Sequence, residues 1–394
     1  MIPSYYEFFN PVKILSGRLA ADNIPYELEN LGVKTPLVIT DPGVVQAGLL
    51  DVVVSGFSGQ DSQIAAVYDQ TPPDSSMDTV REAARLYREN SCDCLIAVGG
   101  GSVMDTAKSV NVLVTLGGDD LLAYGGAEQL KTPLQPLIAV PTTAGTGSEV
   151  TLVAIIAHKE KNVKVAMTSP HLLPRVAVLD PRLTLTMPPR ITAATGMDAL
   201  THAVEAYSCL QKNPMSDGYA HAAIELVRDY LVPAVENGKK EENRMAMANA
   251  ALLAGVAFSN SMVGMVHSVA HAVGGVAHVP HGVANAIMLP WVMEYNMQKV
   301  GDFYGELLLP LAGPETFATT PKQDRGTKSV AVIRDMNKKL YELCNLPITL
   351  KDAGVPRNQL DDIAKAAIND GSLTFNPEEM DLDQARDILE KAFG

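Results

Sequence analysis

The chain has 394 residues, 47% hydrophobic and 19% charged, with a formal net charge of −14. That length favours two domains, and the composition is that of a globular protein, which excludes the disordered and fibrous classes. The acidic balance and the lack of any concentrated Lys/Arg run exclude nucleic acid and an anionic membrane surface as partners.

The N-terminus, MIPSYYEFFNPVKILSG, has no basic region followed by an apolar one and reads as carrying no signal peptide. Short apolar runs then predict strands at 36–40, 64–68, 94–98, 136–140 and 176–179, of the length expected for strands buried on both faces. Several are separated by helix-length segments, as in a parallel α/β sheet. One such helix is predicted from a Ser75 or Ser76 cap through Asn90, with Val80, Ala83, Ala84 and Tyr87 on one stripe.

Met187-Pro188-Pro189 punctuates the chain, and a boundary there predicts an α/β domain over 1–187 and an all-helical domain over 188–394. Helices are expected at 193–207, 216–232 and 244–256, and a last one at 383–393 capped by Asp383. The stretch 310–328, rich in Pro, Thr and Gly, reads as an exposed loop. No charged residue occurs from Met245 to Met293, yet asparagines, prolines and four histidines interrupt the stretch, so it predicts buried helices around a polar centre rather than a membrane span. The four cysteines show no paired framework and read as reduced thiols of a cytoplasmic protein.

Three segments carry chemistry. The strand at 94–98 runs into Gly99-Gly100-Gly101-Ser102 and then a helix, so bare backbone and a helix N-terminus can cradle a phosphate. The strand at 136–140 ends in PTTAGTGSEVT, which places hydroxyls and small residues at the carboxyl end of the sheet, where ligands of open α/β sheets bind. Asp41 follows the strand at 36–40, where a carboxylate can accept from an adenosine ribose and repel a 2′-phosphate, favouring NAD over NADP; its local alternative is a turn residue in Asp-Pro-Gly. In the second half, Asp198 and His202 stand four apart and share one helix face. His267 and His271 share a face of another helix, with His278 and His281 beyond Gly274-Gly275. Imidazoles and one carboxylate suit Fe²⁺, Zn²⁺ or a related first-row ion.

GGGSVMDTAK (99–108), PTTAGTGSEVT (141–151), ATGMDALTHAVEAY, HSVAHAVGG and VPHGVANAIMLP, in order over most of the chain, resemble the iron-containing (group III) alcohol dehydrogenases. The resemblance implies a dehydroquinate synthase-like fold, with a Rossmann-like dinucleotide-binding domain followed by an all-α domain. It implies Asp198, His202, His267 and His281 as metal ligands and His271 as a catalytic proton relay beside the nicotinamide. It implies dinucleotide contacts at Asp41, Gly100, Gly101, Ser102, Thr142, Thr143, Thr151, Val153, Lys164 and Leu183, and a homo-oligomer of two or more subunits.

The expected activity is metal-dependent, NAD(H)-linked interconversion of a small primary alcohol or diol with its aldehyde. Its competitors are a dehydroquinate synthase-like lyase, a reductase of a small carboxylate or sulfonate aldehyde, and a metal-binding protein without activity. The lyase would need several cationic side chains around the metal, against the charge-free surround; the non-enzyme leaves both glycine- and threonine-rich loops unexplained.

Overall fold

The computed structural model describes residues 3–158, 160 and 163–394 and divides into two units. The first unit, Phe9–Met187, is built on β1 (Lys13–Ser16), β2 (Pro36–Ile39), β3 (Ala66–Tyr68), β4 (Cys94–Gly99), β5 (Gly126–Ala127), β6 (Leu137–Pro141), β7 (Val153–His158), β8 (Val163–Thr168) and β9 (Val176–Leu179). Six strands form one sheet in the order β1-β9-β6-β4-β2-β3, and every pairing in it is parallel. Every residue of β2, β4, β6 and β9 is buried, because helices cover both faces. Alternation along each strand divides the residues between two cores. Leu37, Ile39, Leu95, Ala97, Leu137 and Ala139 join one, while Val38, Cys94, Ile96, Val98, Ile138 and Val140 join the other.

The sheet reverses its winding between β2 and β4: the chain steps outward from β2 to β3, then returns across β2 to β4 and continues to β6 and β9. The carboxyl ends of β2 and β4 therefore flank a topological switch point, the place where open α/β sheets hold ligands. A smaller sheet, β5-β8-β7, pairs β7 antiparallel to β8. Its strands were not anticipated, since VAIIAH is nearly uniformly apolar and hides the alternating burial that the fold imposes on it. The helix expected after Ser76 runs Met77–Glu89 with the foreseen stripe buried, but the Ser76 hydroxyl meets Thr79 Oγ1 at 3.3 Å instead of capping a backbone N–H.

The second unit comprises Pro188–Gly394 and the N-terminal residues through Phe8. This corrects the expectation that the first domain begins at the chain's start: the Phe8 ring stacks on Tyr219 of the helical unit, 5.6 Å between centroids. Its main helices are Pro189–Ser208, Pro214–Glu236, Glu241–Ser259, Met265–Ala277, His281–Thr319, Arg325–Cys344, Leu360–Ala367 and Leu382–Phe393. The charge-free stretch is explained by helices buried on nearly every face, and among the described residues no helix is long and apolar enough to cross a membrane.

Two expectations here are overturned. Residues 310–328 are mostly helical rather than an exposed loop: the His281–Thr319 helix passes through them, and Arg325–Cys344 begins inside them. Pro314 is accommodated because Gly313, at φ 82°, breaks the helix and leaves it at the start of a new turn, where its missing N–H costs nothing. The last helix is capped by Asp381, not Asp383: Asp381 and Gln384 form a reciprocal capping box with both hydrogen bonds at 2.8 Å.

Candidate metal centre and dinucleotide loops

In the first unit the sheet delivers Asp41 from β2, Gly99 through Ser102 from β4, Thr142 and Thr143 from β6, and Leu183 from the short helix Pro181–Leu183 after β9, all at carboxyl ends. Space explains the glycines. A Cβ on Gly99 would lie 2.5 Å from a Val103 methyl, and one on Gly101 would lie 3.1 Å from the Thr146 methyl. The helix Gly101–Leu116 begins without a side-chain cap, so its first N–H groups face the turn. Ser102 donates its hydroxyl to the Pro73 carbonyl. Asp41 is itself a helix cap, its Oδ1 accepting from Val44 N at 2.9 Å, so the local alternative describes that oxygen correctly. Thr151 and Val153 sit where the chain enters β7, and Lys164 stands exposed on β8 opposite Ala157.

Sequence reasoning missed what joins the two loops. Lys108, fully buried, donates from Nζ to Thr151 O (2.8 Å), Thr151 Oγ1 (3.0 Å), Val153 O (3.0 Å) and Ser148 Oγ (3.2 Å). Asp105 sits beside it, accepting from Ser148 Oγ and Ile155 N at 3.3 Å each. Burial pulls the Lys108 ammonium down to about 8 against the pull of Asp105 and Glu149. Burial likewise pushes Asp105 up to about 6 and Glu149 up to about 7. Asp105 and Lys108 lie inside GGGSVMDTAK, three apart on one helix face, and that spacing beside a glycine turn was the available signal.

In the second unit, Asp198 and His202 come from Pro189–Ser208, His267 from Met265–Ala277 and His281 from the first residue of His281–Thr319. One ligand atom from each lies within 4.8 Å of all the others. The His202 and His267 rings stack at 4.5 Å, and Phe258 closes the outer face of His202 at 4.2 Å. His281 is 39% exposed against 3% for Asp198, so the cluster opens on the His281 side. Burial opposes charge on Asp198, yet the imidazoles of His202, His281 and His267 and the amide of Asn285 hold its carboxyl below the usual range. Burial, with His202 and His281 alongside, keeps His267 neutral far below its ordinary value. A neutral His267 imidazole and an ionised Asp198 carboxylate are the protonation states a divalent cation requires.

Two carboxylates absent from the sequence reading orient this set. Glu205, one turn beyond His202, meets His267 Nδ1 at 2.5 Å and accepts from Val266 N at 2.6 Å. With Nδ1 engaged, His267 turns Nε2 toward the cluster, the arrangement metal-bound histidines adopt. Burial raises the Glu205 carboxyl to about 7 despite these donors. Asp370 does the same for His271, its Oδ2 lying 3.0 Å from Nδ1, and the His271 ring stacks on His281 at 5.3 Å. Glu205 had a visible cue, since Asp198, His202 and Glu205 share one face of ATGMDALTHAVEAY; Asp370, nearly a hundred residues from His271, had none. Elsewhere, His278 is exposed at a helix end with φ 56°. His158 is buried on β7, 3.5 Å from Asp120 Oδ1. His171 lies in a 3₁₀ turn, and His221 packs on Tyr207.

A doubly wound parallel sheet with a glycine turn at its switch point, and a helical unit holding three imidazoles and a carboxylate in one group, are the parts of a metal- and dinucleotide-dependent enzyme. Comparison with known proteins places the chain within that class. Residues 11–181 match the family described as iron-containing alcohol dehydrogenase, and residues 192–393 match the C-terminal region of the same family. The chain is 35% identical over 388 residues to alcohol dehydrogenase 4 of Saccharomyces cerevisiae, covering 98% of each. Among solved structures it resembles a 1,3-propanediol oxidoreductase with a TM-score of 0.94 and 35% identity, covering 99% of this chain and 100% of the other. It also resembles sulfoacetaldehyde reductase from Bifidobacterium kashiwanohense in complex with NAD⁺, with a TM-score of 0.84, 27% identity and 99% of each chain covered. The protein belongs to the iron-containing alcohol dehydrogenase family, and the expected fold and NAD-dependent, metal-containing dehydrogenase class stand.

Proposed function

We propose that Asp198, His202, His267 and His281 hold one divalent ion and that the chain reduces a small neutral aldehyde, or oxidises the corresponding primary alcohol or diol. The observation that carries this reading is the convergence of four ligand atoms inside a helical unit with no charged side chain from Met245 to Met293. Relatives named for 1,3-propanediol support a short diol among the substrates.

When bound, the ion supplies a Lewis acid for the substrate oxygen. Glu205 fixes the His267 ring, and Asp370 holds His271 Nδ1, which leaves His271 Nε2 as the atom that gives or takes the hydroxyl proton. Gly100, Gly101 and Ser102 receive the pyrophosphate at the helix N-terminus; Asp41 faces the ribose and disfavours NADP. Thr142, Thr143, Thr151, Val153, Lys164 and Leu183 line the rest of the dinucleotide path. The four free cysteines accord with a reducing cytoplasm, and the family resemblance supports a homo-oligomer.

The test is NADH or NADPH oxidation by metal-loaded protein with short aldehydes, a hydroxyaldehyde and an anionic aldehyde. NADH should be consumed with the neutral members, and His271→Ala should lower kcat by about 10²–10⁴-fold with metal content retained. No absorbance loss across the panel would overturn the redox reading; loss of metal from His271→Ala would make His271 a ligand.

A further inference from the structure

The amide of Asn285 lies among the four candidate ligands. Asn285 is fully buried one helical turn beyond His281, and its Nδ2 is 2.7 Å from Asp198 Oδ1, 3.1 Å from His281 Nε2 and 3.3 Å from His267 Nε2. Three acceptors thus converge on one NH₂ group that has two hydrogens, while Asn285 Oδ1 is buried with no hydrogen-bond partner. An amide turned the other way would set its oxygen against a carboxylate oxygen and two ring lone pairs. The acceptors therefore select the donor-inward orientation, at the cost of leaving the carbonyl unsatisfied.

We infer that Asn285 is a positioning residue of the metal centre. Before an ion arrives its NH₂ group holds Asp198, His267 and His281 together against the mutual repulsion of their lone pairs. With an ion held by the imidazoles, the Asn285 amide, 2.7 Å from Asp198 Oδ1, would still donate to that oxygen and aim the carboxylate. The inference rests on the metal-site reading above and adds a residue that donates no lone pair to the ion. It gives a reason for a polar side chain at a fully buried position: a leucine there would pack, but three acceptors would lose their common donor.

The experiment compares the parent with Asn285→Leu, which keeps the branched shape, and Asn285→Ala, which guards against overpacking. Zn²⁺ affinity is measured by competition with a chromophoric chelator, Fe²⁺ affinity likewise under anaerobic conditions, and melting temperature is measured on metal-free protein. A weakening of both metal affinities by about 10–100-fold in both variants, with the metal-free melting temperature close to that of the parent, is the expected result. Affinity unchanged within about threefold in either variant that melts like the parent overturns the inference. A collapse of the metal-free melting temperature in both also overturns it, since Asn285 would then serve the fold rather than the ligands. Asp198→Asn separates this from the underlying reading: if that variant keeps full metal affinity, the ligand assignment fails, whatever Asn285 does.

Discussion

Gly282 offers a test of whether helix packing brings the ligands together. It follows His281 directly, and a Cβ built on it would stand 2.4 Å from Ala194 O and 2.8 Å from Ala194 C, in the helix that carries Asp198 one turn later. Both obstacles are backbone, so no side chain can swing aside, and the two helices must part by roughly 1 Å to regain ordinary contact. Overpacking of this kind costs about 1–3 kcal/mol. In a unit of this size that lowers the melting temperature by about 2–12 °C. The metal should suffer more than the fold, because ligand distances tolerate only about ±0.2 Å. Gly282→Ala is therefore expected to bind Zn²⁺ at least ~10-fold more weakly. Gly218 is the control: it is exposed within Pro214–Glu236 with nothing within 4 Å of its Cβ direction, so Gly218→Ala should stabilise by about 0.4–1 kcal/mol and leave metal affinity alone. Calorimetry of metal-free protein and chelator competition read the two quantities separately. Parent-like melting and affinity in Gly282→Ala would refute the idea that the contact at Ala194 sets the position of His281.

Lys108→Met should destabilise the first unit by about 3 kcal/mol, because it removes the buried donor shared by two carbonyls and two hydroxyls. NADH affinity, read by fluorescence, should fall with it, and a variant that melts and binds NADH like the parent would show that the two loops stand without that lysine. Glu149, raised from 4.5 to about 7, binds its proton more tightly folded than unfolded. Its contribution to stability is therefore fully present below the unfolded value and is lost as pH rises through the folded one. Glu149→Gln should gain on the parent between pH 5 and 8, by on the order of 2–3 kcal/mol; denaturant midpoints that stay parallel across that range would count against a buried, protonatable Glu149.

Much of the fold was legible because burial on both faces forces uniform apolar runs: Cys94 to Val98 could be placed as a strand from composition alone. The same uniformity concealed β7 and β8, whose register is set by each other rather than by a pattern either one carries. The prolines at 310–328 misled for a related reason. A proline breaks a helix only where its ring meets a preceding carbonyl, and for Pro314 the positive φ of Gly313 removes that conflict, which a reading by residue type does not anticipate.

At the candidate site the division is sharper. Asp198 and His202 are fixed on one helix face by their spacing, and the glycine turn after β4 by strand length and the small residues that follow, so the sequence by itself determined both halves of the chemistry. It could not determine convergence. That His267 and His281 close on the Asp198 helix, that Glu205 rather than water holds His267, that Asp370 reaches His271, and that Asn285 stands among three ligand atoms are contacts between helices, up to 99 residues apart in the chain. Such contacts depend on how side chains fill the space between helices, and local spacing is silent about that because a helix presents the same face whichever neighbour the packing brings to it.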